Sequence, residues 1–350
     1  MRIALDVMGG DLGSMVAVEG AVHASKTVPG LAQIHLVGNQ SEIETALHKL
    51  RCPIDRRFVI HHTDQCLSME DKPLEGLRRK KNTSIALAVD LLKSGKVGAI
   101  VSPGNTGGVV AAATLKLRTV SGIDRPAIAT IIPAPKRDFL LLDAGANVDC
   151  RPQHLADFAL LGNAYSRGVM GRKQPRVGLL SVGAEDVKGN ETTREAFKIC
   201  RRLPLNFIGN IEGKDLFSDR VDVVVCDGFV GNIVLKCCEG LAGGLFDWLR
   251  EELSKNSKRK IGAFLARNAF RAIKRRVDPE AHGGAPLLGL NGNVIIAHGS
   301  SGPQAILHAI EQATMTIRTQ LSQTIASEVS QLKSIRPRLH EDRASGEVAV

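Results

Sequence analysis

Aromatic residues are scarce in this chain of 350 residues: one Trp, one Tyr and 10 Phe make up 3% of the sequence. Proteins that bind single-stranded nucleic acid rely on aromatic rings that stack on the bases, so the composition argues against that class. The hydrophobic core must instead be built from Val, Ile, Leu and Ala. Short aliphatic runs of this kind are typical of buried parallel strands.

Cysteine motifs are missing as well. The seven cysteines include no Cys-x-x-Cys pair and no Cys/His spacing typical of a zinc site. Most of them lie in apolar or helical segments, where a free thiol behaves as a small buried hydrophobic group. We therefore expect a reducing compartment and no metal site.

We find no signal peptide before the strand-like run Arg2–Leu5, and no apolar stretch of the ~20 residues that a membrane-spanning helix needs. These absences predict a cytoplasmic protein that attaches to a membrane at most peripherally. The net charge is +10, from 46 Lys and Arg against 36 Asp and Glu. A basic surface attracts nucleic acid, anionic lipid or an acidic protein, and the total charge does not choose among them.

What the chain does contain is a repeated pattern: an apolar run, a Gly-rich polar loop and then a helix-like segment. Such loops gather at the carboxyl edge of the sheet in α/β proteins, so we expect them to converge on one cleft. Because helix amino ends offer unpaired N–H groups and a positive dipole end, this cleft would suit phosphate. No loop is a Walker A motif or a Gly-x-Gly-x-x-Gly fingerprint. The five loops span residues 6–11, 102–107, 183–191, 227–232 and 298–302.

Strands that alternate with helices predict an α/β fold, with a Rossmann-like, mostly parallel sheet and helices on both faces. Residues 127–132 and 139–143 would form an antiparallel part, because no helix separates them. We expect a single domain with an interlobe cleft over residues 1–332, and an irregular tail over 333–350.

Two helix boundaries are predicted from local patterns. Ser41 and Glu44 resemble a capping box that opens a helix. Pro303 favours the first turn of another helix, which we expect to run to about Ser330.

The loop after residue 101 is the clearest phosphate candidate. Gly104 lets the backbone approach a ligand, and short polar side chains lie beside the helix start. A capped helix alone needs one such side chain, so ligand binding is favoured. The polar residues are Ser102, Asn105 and Thr106.

Carboxylates flank the first loop. Asp6 and Asp11 surround the Gly9-Gly10 turn, where they would orient donors, bind a cation or simply fix the turn. These three interpretations stay open from the sequence.

The remaining three loops add a cation, a carboxylate and an imidazole. Lys188 would neutralise a phosphate, whereas Asn190 would either act beside it or cap the next helix. Asp227 ends an apolar strand, and a carboxylate at an anion site must hold a cation or carry a proton. His298 offers a proton donor and is followed by two hydroxyls. Their neighbours in the candidate site are Gly228, Asn232, Gly299 and Ser300.

Residues 255–277 contain nine basic residues and no acidic one. On a helical wheel, apolar and basic residues occupy different faces, which is typical of a helix on an anionic membrane surface. A helix that packs on its own protein or on a dimer partner is an equal alternative. The candidate membrane contacts are Ile261, Phe264, Leu265, Arg267, Arg271 and Lys274, within a helical element over 240–285.

Seven segments together resemble the phosphate acyltransferases of bacterial phospholipid synthesis, which form acyl phosphate from acyl-acyl carrier protein and inorganic phosphate. The resemblance covers residues 1–330, and Leu12, Ser14 and Pro103 depart from it. Its segments are ALDVMGGD at 4–11, SPGNTGG at 102–108, LLDAGANVDCRPQHL at 141–155, GAEDVKGNE at 183–191, FIGNIEGKDLF at 207–217, VDVVVCDGFVGNIVLK at 221–236 and VIIAHGSSG at 294–302.

The resemblance implies a fold like that of phosphotransacetylases and isopropylmalate dehydrogenase, with a protruding helical hairpin. It also implies a homodimer, peripheral contact with an anionic membrane and no cofactor. The acyl donor would be the acidic acyl carrier protein, and a membrane glycerol-3-phosphate acyltransferase would use the product. No nucleic acid is expected as a partner. Asn147 joins the candidate substrate contacts because it lies within one of the matching segments.

The chemistry needs no Ser or Cys nucleophile, because inorganic phosphate already carries two negative charges near neutral pH. It needs phosphate held in line and an oxyanion stabilised by fixed donors. We expect Gly104, Asn105, Thr106, His298 and Ser300 to seat phosphate, Lys188 to stabilise charge, Asp227 to orient Lys188 or His298, and Asp6, Asp11 and Asn232 to shape the opposite wall.

Three other functions remain as alternatives. A phosphate transacylase that uses short acyl-coenzyme A would share the loops but would not need the basic helix. A nicotinamide-dependent dehydrogenase would fit the fold, but this chain lacks the expected dinucleotide-binding fingerprint. A membrane- or nucleic-acid-binding adaptor would use the basic segment and leave the loops unexplained.

Overall fold

The computed structural model describes residues 1–277 and 283–335. Within these residues the chain forms eleven strands and twelve α-helices. The strands are β1 (Arg2–Asp6), β2 (Gln33–Gly38), β3 (Phe58–His62), β4 (Ala99–Ser102), β5 (Ala127–Ile132), β6 (Phe139–Leu142), β7 (Val177–Leu180), β8 (Phe207–Ile211), β9 (Val223–Val225), β10 (Ala285–Leu288) and β11 (Asn293–Ile296).

The helices mostly follow strands, as the alternating pattern predicts. A short 3-10 helix at Gly213–Phe217 precedes β9. The α-helices are α1 (Ser14–Thr27), α2 (Gln40–Lys49), α3 (Pro73–Arg79), α4 (Ser84–Lys93), α5 (Thr106–Leu117), α6 (Pro152–Gly168), α7 (Glu191–Cys200), α8 (Gly228–Ser254), α9 (Ser257–Leu265), α10 (Arg267–Val277), α11 (Pro303–Arg318) and α12 (Leu321–Ile335).

All eleven strands form one sheet in the order β3-β2-β1-β4-β11-β10-β5-β6-β9-β7-β8. The first five run parallel, and so do the last four. Three antiparallel pairings, β11 with β10, β10 with β5 and β5 with β6, separate these two groups. The predicted α/β fold and its antiparallel part are therefore confirmed.

The two parallel groups run in opposite directions, because three reversals lie between them. The carboxyl ends of β1, β4 and β11 thus face away from those of β6, β9 and β7. The prediction that all five Gly-rich loops share one carboxyl edge is wrong for this reason.

Helices cover both faces of each group. Successive residues of β1 alternate: Ile3 and Leu5 pack with α1 and α11, whereas Ala4 packs with α4 and α5. In the second group, α6 and α12 cover one face and the 3-10 helix covers the other. This alternation is the period of two that strand geometry requires.

Two predicted helix boundaries are wrong. The side chain of Asn39, rather than Ser41 with Glu44, caps α2 by accepting from the amide of Glu42 at 3.1 Å. The helix that begins at Pro303 stops at Arg318, because Gln320 has a φ of 48° in the left-handed region.

The expected irregular tail also begins too early. The backbone of α12 extends to Ile335, so the first three residues of the predicted tail are helical. Residues 336–350 lie outside the described residues.

Helices α8, α9 and α10 form an excursion from the body of the molecule. Of the 27 residues of α8 only Gly228 and Gly231 are buried, and α9 and α10 bury none. The excursion returns where Arg276 donates to the carbonyl of Ala134 at 2.7 Å. Within the predicted helical element over 240–285, α10 runs to Val277, residues 278–282 lie outside the described residues, and Ala285 begins β10.

In the part of the chain that the structure describes, α8 is the one helix long and apolar enough to cross a membrane, and almost none of it is buried. The expectation that no segment reaches this length is therefore wrong. The reason is that an apolar stretch of this length can still contain charged residues, here Lys236 and Glu239. Length and composition alone are weak indicators of a membrane span.

Candidate active site

The loops after β1 and β4 lie against each other at one edge of the sheet. A Cβ atom on Gly9 would lie only 2.7 Å from the Cα of Gly104 and 2.8 Å from the Oδ2 of Asp6. This approach requires glycine on the first loop, since no Cβ fits there. Two of the predicted phosphate loops are thus in direct contact.

The loop after β11 joins the same edge. The amide of Asp11 donates to the carbonyl of Gly299 at 2.8 Å. This hydrogen bond is possible because β1, β4 and β11 are neighbours in the sheet. The structure therefore brings together three of the five predicted loops.

Each of these three loops leads into a helix, namely α1, α5 and α11. The amide groups of Thr106 and Gly107 lie in the first turn of α5, before the helical hydrogen bonds begin, and both residues are exposed. Three helix amino ends at one edge create a positive potential that favours an anion.

A buried carboxylate fixes the β1 and β4 loops. Asp6 accepts hydrogen bonds from the Ser102 hydroxyl at 2.8 Å and the Met8 amide at 3.2 Å, and the Gly104 amide donates to Ser102 Oγ at 3.2 Å. Burial raises the pKa of the Asp6 carboxyl, and hydrogen bonds from Ser84 and Ser102 offset part of this rise. Both Asp6 and Ser102 are buried, so they position the loops from beneath.

Asn105 is occupied by the protein itself. Its side-chain oxygen caps α5 by accepting from the Gly108 amide at 3.0 Å. Its Nδ2 group donates to the carbonyls of Ser68 and Met69 at 3.2 and 3.1 Å. The segment 66–72, which sequence reasoning missed, is thereby tied over the loop after β4.

This segment is held at its other end by an ion pair. Lys80 lies 2.7 Å from Asp71, and its hydrogen bond lowers the pKa of the Asp71 carboxyl to about 2. The side chain of Met69 lies against Gly299 in the third loop. The segment 66–72 therefore contacts two of the three converging loops.

His298 contacts a lysine that sequence reasoning missed. Its Nδ1 lies 2.8 Å from the Ser300 hydroxyl, and its Nε2 lies 3.4 Å from the Nζ of Lys236. Lys236 lies on α8, the helix that follows β9 of the second group of strands. The signal was present, because Lys236 ends the matching segment 221–236, but a lysine within a helix usually indicates a solvated surface.

Asp227 lies at the opposite edge, where it caps α8 by accepting from the Val230 amide at 2.8 Å. The Gly228 amide donates to the carbonyl of Asn147 at 2.7 Å. The side chain of Asn147 is buried and donates to Asp143 at 2.8 Å. Asn232 is exposed and packs beside Gly145.

Lys188 and Asn190 make their contacts within their own loop. The stem of Lys188 lies against Gly183, and Asn190 caps α7 by accepting from the Thr193 amide at 2.8 Å. The capping alternative for Asn190 is thus confirmed. The contacts of Asp227 place it beside neither Lys188 nor His298.

The positions that depart from the family pattern cluster at the first loop. Pro103 is buried, and its Cγ would lie 3.3 Å from a Cβ on Gly10. Leu12 is exposed, and the Ser14 hydroxyl donates to Glu42 at 2.6 Å. Among the residues described, no group of three or more His, Cys, Asp or Glu side chains is placed to hold a metal ion.

The candidate membrane residues lie on the excursion. Ile261, Phe264 and Leu265 are 62%, 63% and 77% exposed. The guanidinium of Arg267 lies 4.5 Å from the centre of the Phe264 ring. Arg271 and Lys274 follow on α10, which buries no residue.

The sequence matches the family described as "Fatty acid synthesis protein" over residues 1–324. It is 49% identical over 317 residues to the phosphate acyltransferase of Moorella thermoacetica, covering 91% of this chain and 92% of the relative. It is 44% identical over 343 residues to that of Syntrophotalea carbinolica, covering 97% and 96%. This chain belongs to the phosphate acyltransferase family.

Membership confirms the predicted enzyme class, an acyltransferase of fatty-acid and lipid synthesis with phosphate as acyl acceptor. Solved structures of phosphotransacetylases share the fold of this chain. The EutD phosphotransacetylase from Staphylococcus aureus matches with a TM-score of 0.58 at 16% identity, covering 91% of this chain and 94% of that one. A phosphotransacetylase from Streptococcus pyogenes matches with a TM-score of 0.58 at 17% identity, covering 92% and 94%.

Proposed function

We propose that this member of the phosphate acyltransferase family transfers a long-chain fatty acyl group from acyl-acyl carrier protein to inorganic phosphate. The observation that carries the proposal is the junction of three Gly-rich loops at the amino ends of α1, α5 and α11. Such a junction offers several fixed N–H donors to one small anion.

In the proposed reaction a phosphate oxygen attacks the thioester carbonyl carbon, and the carbon–sulfur bond then breaks. The products are acyl phosphate and the free thiol of the donor. The amides of Thr106 and Gly107, with the Ser300 hydroxyl, hold the phosphate in line. Neighbouring loop amides stabilise the oxyanion that develops on the carbonyl oxygen.

The donor side of the proposal rests on charge. The chain has a net charge of +10, and its basic residues include a dense group in α9 and α10. An acidic carrier protein is steered towards such a surface. The acyl phosphate would then serve a membrane glycerol-3-phosphate acyltransferase in phospholipid synthesis.

We also propose a homodimer that contacts the membrane peripherally from the cytoplasm. Support comes from α8, whose exposed side chains include Leu241, Leu245 and Trp248. A second copy would cover this apolar face, while α9 and α10 would meet anionic lipid. Residues 1–332 would act as a single domain.

The catalytic roles of Lys188, Asp227 and Asn190, and the contacts of Asn147, Gly228 and Asn232 with substrate, stay predictions. These residues lie towards the carboxyl ends of the second group of strands. A bound donor that reaches from one edge of the sheet to the other would contact these residues.

The test compares palmitoyl-acyl carrier protein with acetyl-coenzyme A as donors for the purified full chain. With palmitoyl-acyl carrier protein we expect phosphate-dependent release of the carrier thiol, with one acyl phosphate formed for each thiol released. This release should be at least about 100-fold faster than thiol release from acetyl-coenzyme A. Equal or faster turnover of acetyl-coenzyme A would instead support the short-chain transacylase. Omission of phosphate is the control, because thiol release without it indicates simple hydrolysis.

A further inference from the structure

We propose that Lys236 supplies the positive charge that complements bound phosphate at the three converging loops. This inference rests on the proposed function, because it assumes that phosphate binds there. The sequence pointed to Lys188 for this task, but the strand directions place that residue on a loop at the other edge.

The position of Lys236 follows from the course of α8. The helix begins at Gly228 after β9, and eight residues at about 1.5 Å each carry Lys236 about 12 Å along it. The preceding residue, Leu235, packs against the apolar clusters of both strand groups. Lys236 is therefore held where α8 passes from one edge of the sheet to the other.

The contacts of Lys236 join the two strand groups. Its Nζ lies 3.4 Å from His298 Nε2 and 2.8 Å from Glu239 Oε2. An ammonium group can only donate, and on the other side of the ring the Ser300 amide donates to His298 Nδ1 at 3.2 Å. The same Nδ1 atom lies 2.8 Å from the Ser300 hydroxyl, so the imidazole joins Lys236 to Ser300.

A cation is needed here on electrostatic grounds. The converging loops carry the carboxyl groups of Asp6 and Asp11, and a phosphate dianion adds two more negative charges. Glu239 pairs with Lys236 in the structure, and the lysine side chain is 48% exposed. Its flexible stem allows the ammonium to reach a phosphate beside Ser300 without moving the helix.

The experiment measures orthophosphate affinity of the full chain by calorimetry at constant ionic strength, without any acyl donor. The variants are Lys236→Met and Lys236→Arg, with Lys198→Met as the matched control. Lys198 is also a helix lysine that pairs with a glutamate three residues away, at 2.7 Å, but on α7. We expect Lys236→Met to weaken phosphate binding at least about tenfold, Lys236→Arg less than about threefold and Lys198→Met not at all.

Phosphate affinity of Lys236→Met within about twofold of the wild type would overturn the inference, as would equal losses in Lys236→Met and Lys198→Met. Thermal unfolding without phosphate shows whether each variant is folded, and Lys236→Gln replaces Lys236→Met if needed. Because no acyl donor is present, the result is independent of which donor the enzyme uses. If the Lys236→Met variant binds phosphate normally and still forms acyl phosphate, the role of Lys236 is wrong and the proposed function stands.

Discussion

Asp222 is a buried carboxylate that precedes β9 and anchors the amino ends of two strands. Arg176 donates to it at 2.9 Å, Arg172 forms an ion pair with it, and Arg137 lies 3.6 Å away. Burial alone would raise the pKa of this carboxyl, but the hydrogen bonds of Arg176 and the charges of both nearer arginines lower it to about 2.

Asp222→Asn should therefore lower the free energy of unfolding by about 3 kcal/mol at pH 7, because it leaves the partly buried guanidinium groups of Arg172 and Arg176 without their partner. A carboxyl whose folded pKa is depressed stabilises the fold above its unfolded pKa, near 3.8, and loses this effect as the pH falls towards 2. Urea unfolding at pH 7 and below pH 4 measures the difference between variant and wild type. We expect this difference to narrow below pH 4.

The exposed Asp149 provides the control, since Asp149→Asn should change stability by less than about 0.5 kcal/mol. A difference between Asp222→Asn and the wild type that stays constant across this pH range would contradict the ion-pair explanation.

Single residues of the site were predictable to different degrees. Asp6 and Ser102 end strands, so their place at the sheet edge follows from sequence, but their burial beneath the loops does not. Lys236 was not predictable from helical pattern, since its pair with Glu239 looks like an ordinary surface i,i+3 pair. The proposed role of Lys236 depends on its contact with His298, which lies 62 residues away in sequence.

The excursion formed by α8, α9 and α10 is the element whose function is least explained by packing within one chain. Its basic and apolar residues separate on α9 and α10, and none is buried. Such a separation is typical of helices that lie on the surface of an anionic bilayer.

Replacing both Phe264 and Leu265 by Ser should weaken binding to phosphatidylglycerol vesicles at least about tenfold, because each large apolar side chain contributes about 1.5–3 kcal/mol when buried. Vesicle flotation with the full chain measures the bound fraction. The control is Leu115→Ser on α5, which changes a leucine that is 53% exposed elsewhere.

Unchanged flotation of the double variant would assign α9 and α10 to a protein contact instead. Comparable binding to neutral phosphatidylcholine vesicles would argue against a role for the basic face.

At the scale of elements, most strands and helices were predictable because their apolar periods are strong. The missed elements are short or depend on partners. Helix α3 has seven residues, and β10 exists only because it pairs with β5 and β11, far apart in sequence. The break between α11 and α12 was not predictable, because no Gly or Pro follows Arg318 there.

The whole molecule is one sheet built from two oppositely directed parallel groups. This arrangement was not predictable from the sequence, because strand direction is decided by the pairings of β10 and β5, which lie about 150 residues apart. It explains why three loops meet at one edge while the Lys188 and Asp227 loops follow strands of opposite direction. It also gives α8 its role as the link between edges.

The proposed function depends on phosphate binding between the loops after β1, β4 and β11. A crystal structure of the full chain with orthophosphate and no acyl donor tests this binding. We expect one anion within hydrogen-bonding distance of the Thr106 and Gly107 amides and the Ser300 hydroxyl. An anion bound instead by Lys188 in the loop 183–191, with the three-loop junction empty, would contradict it.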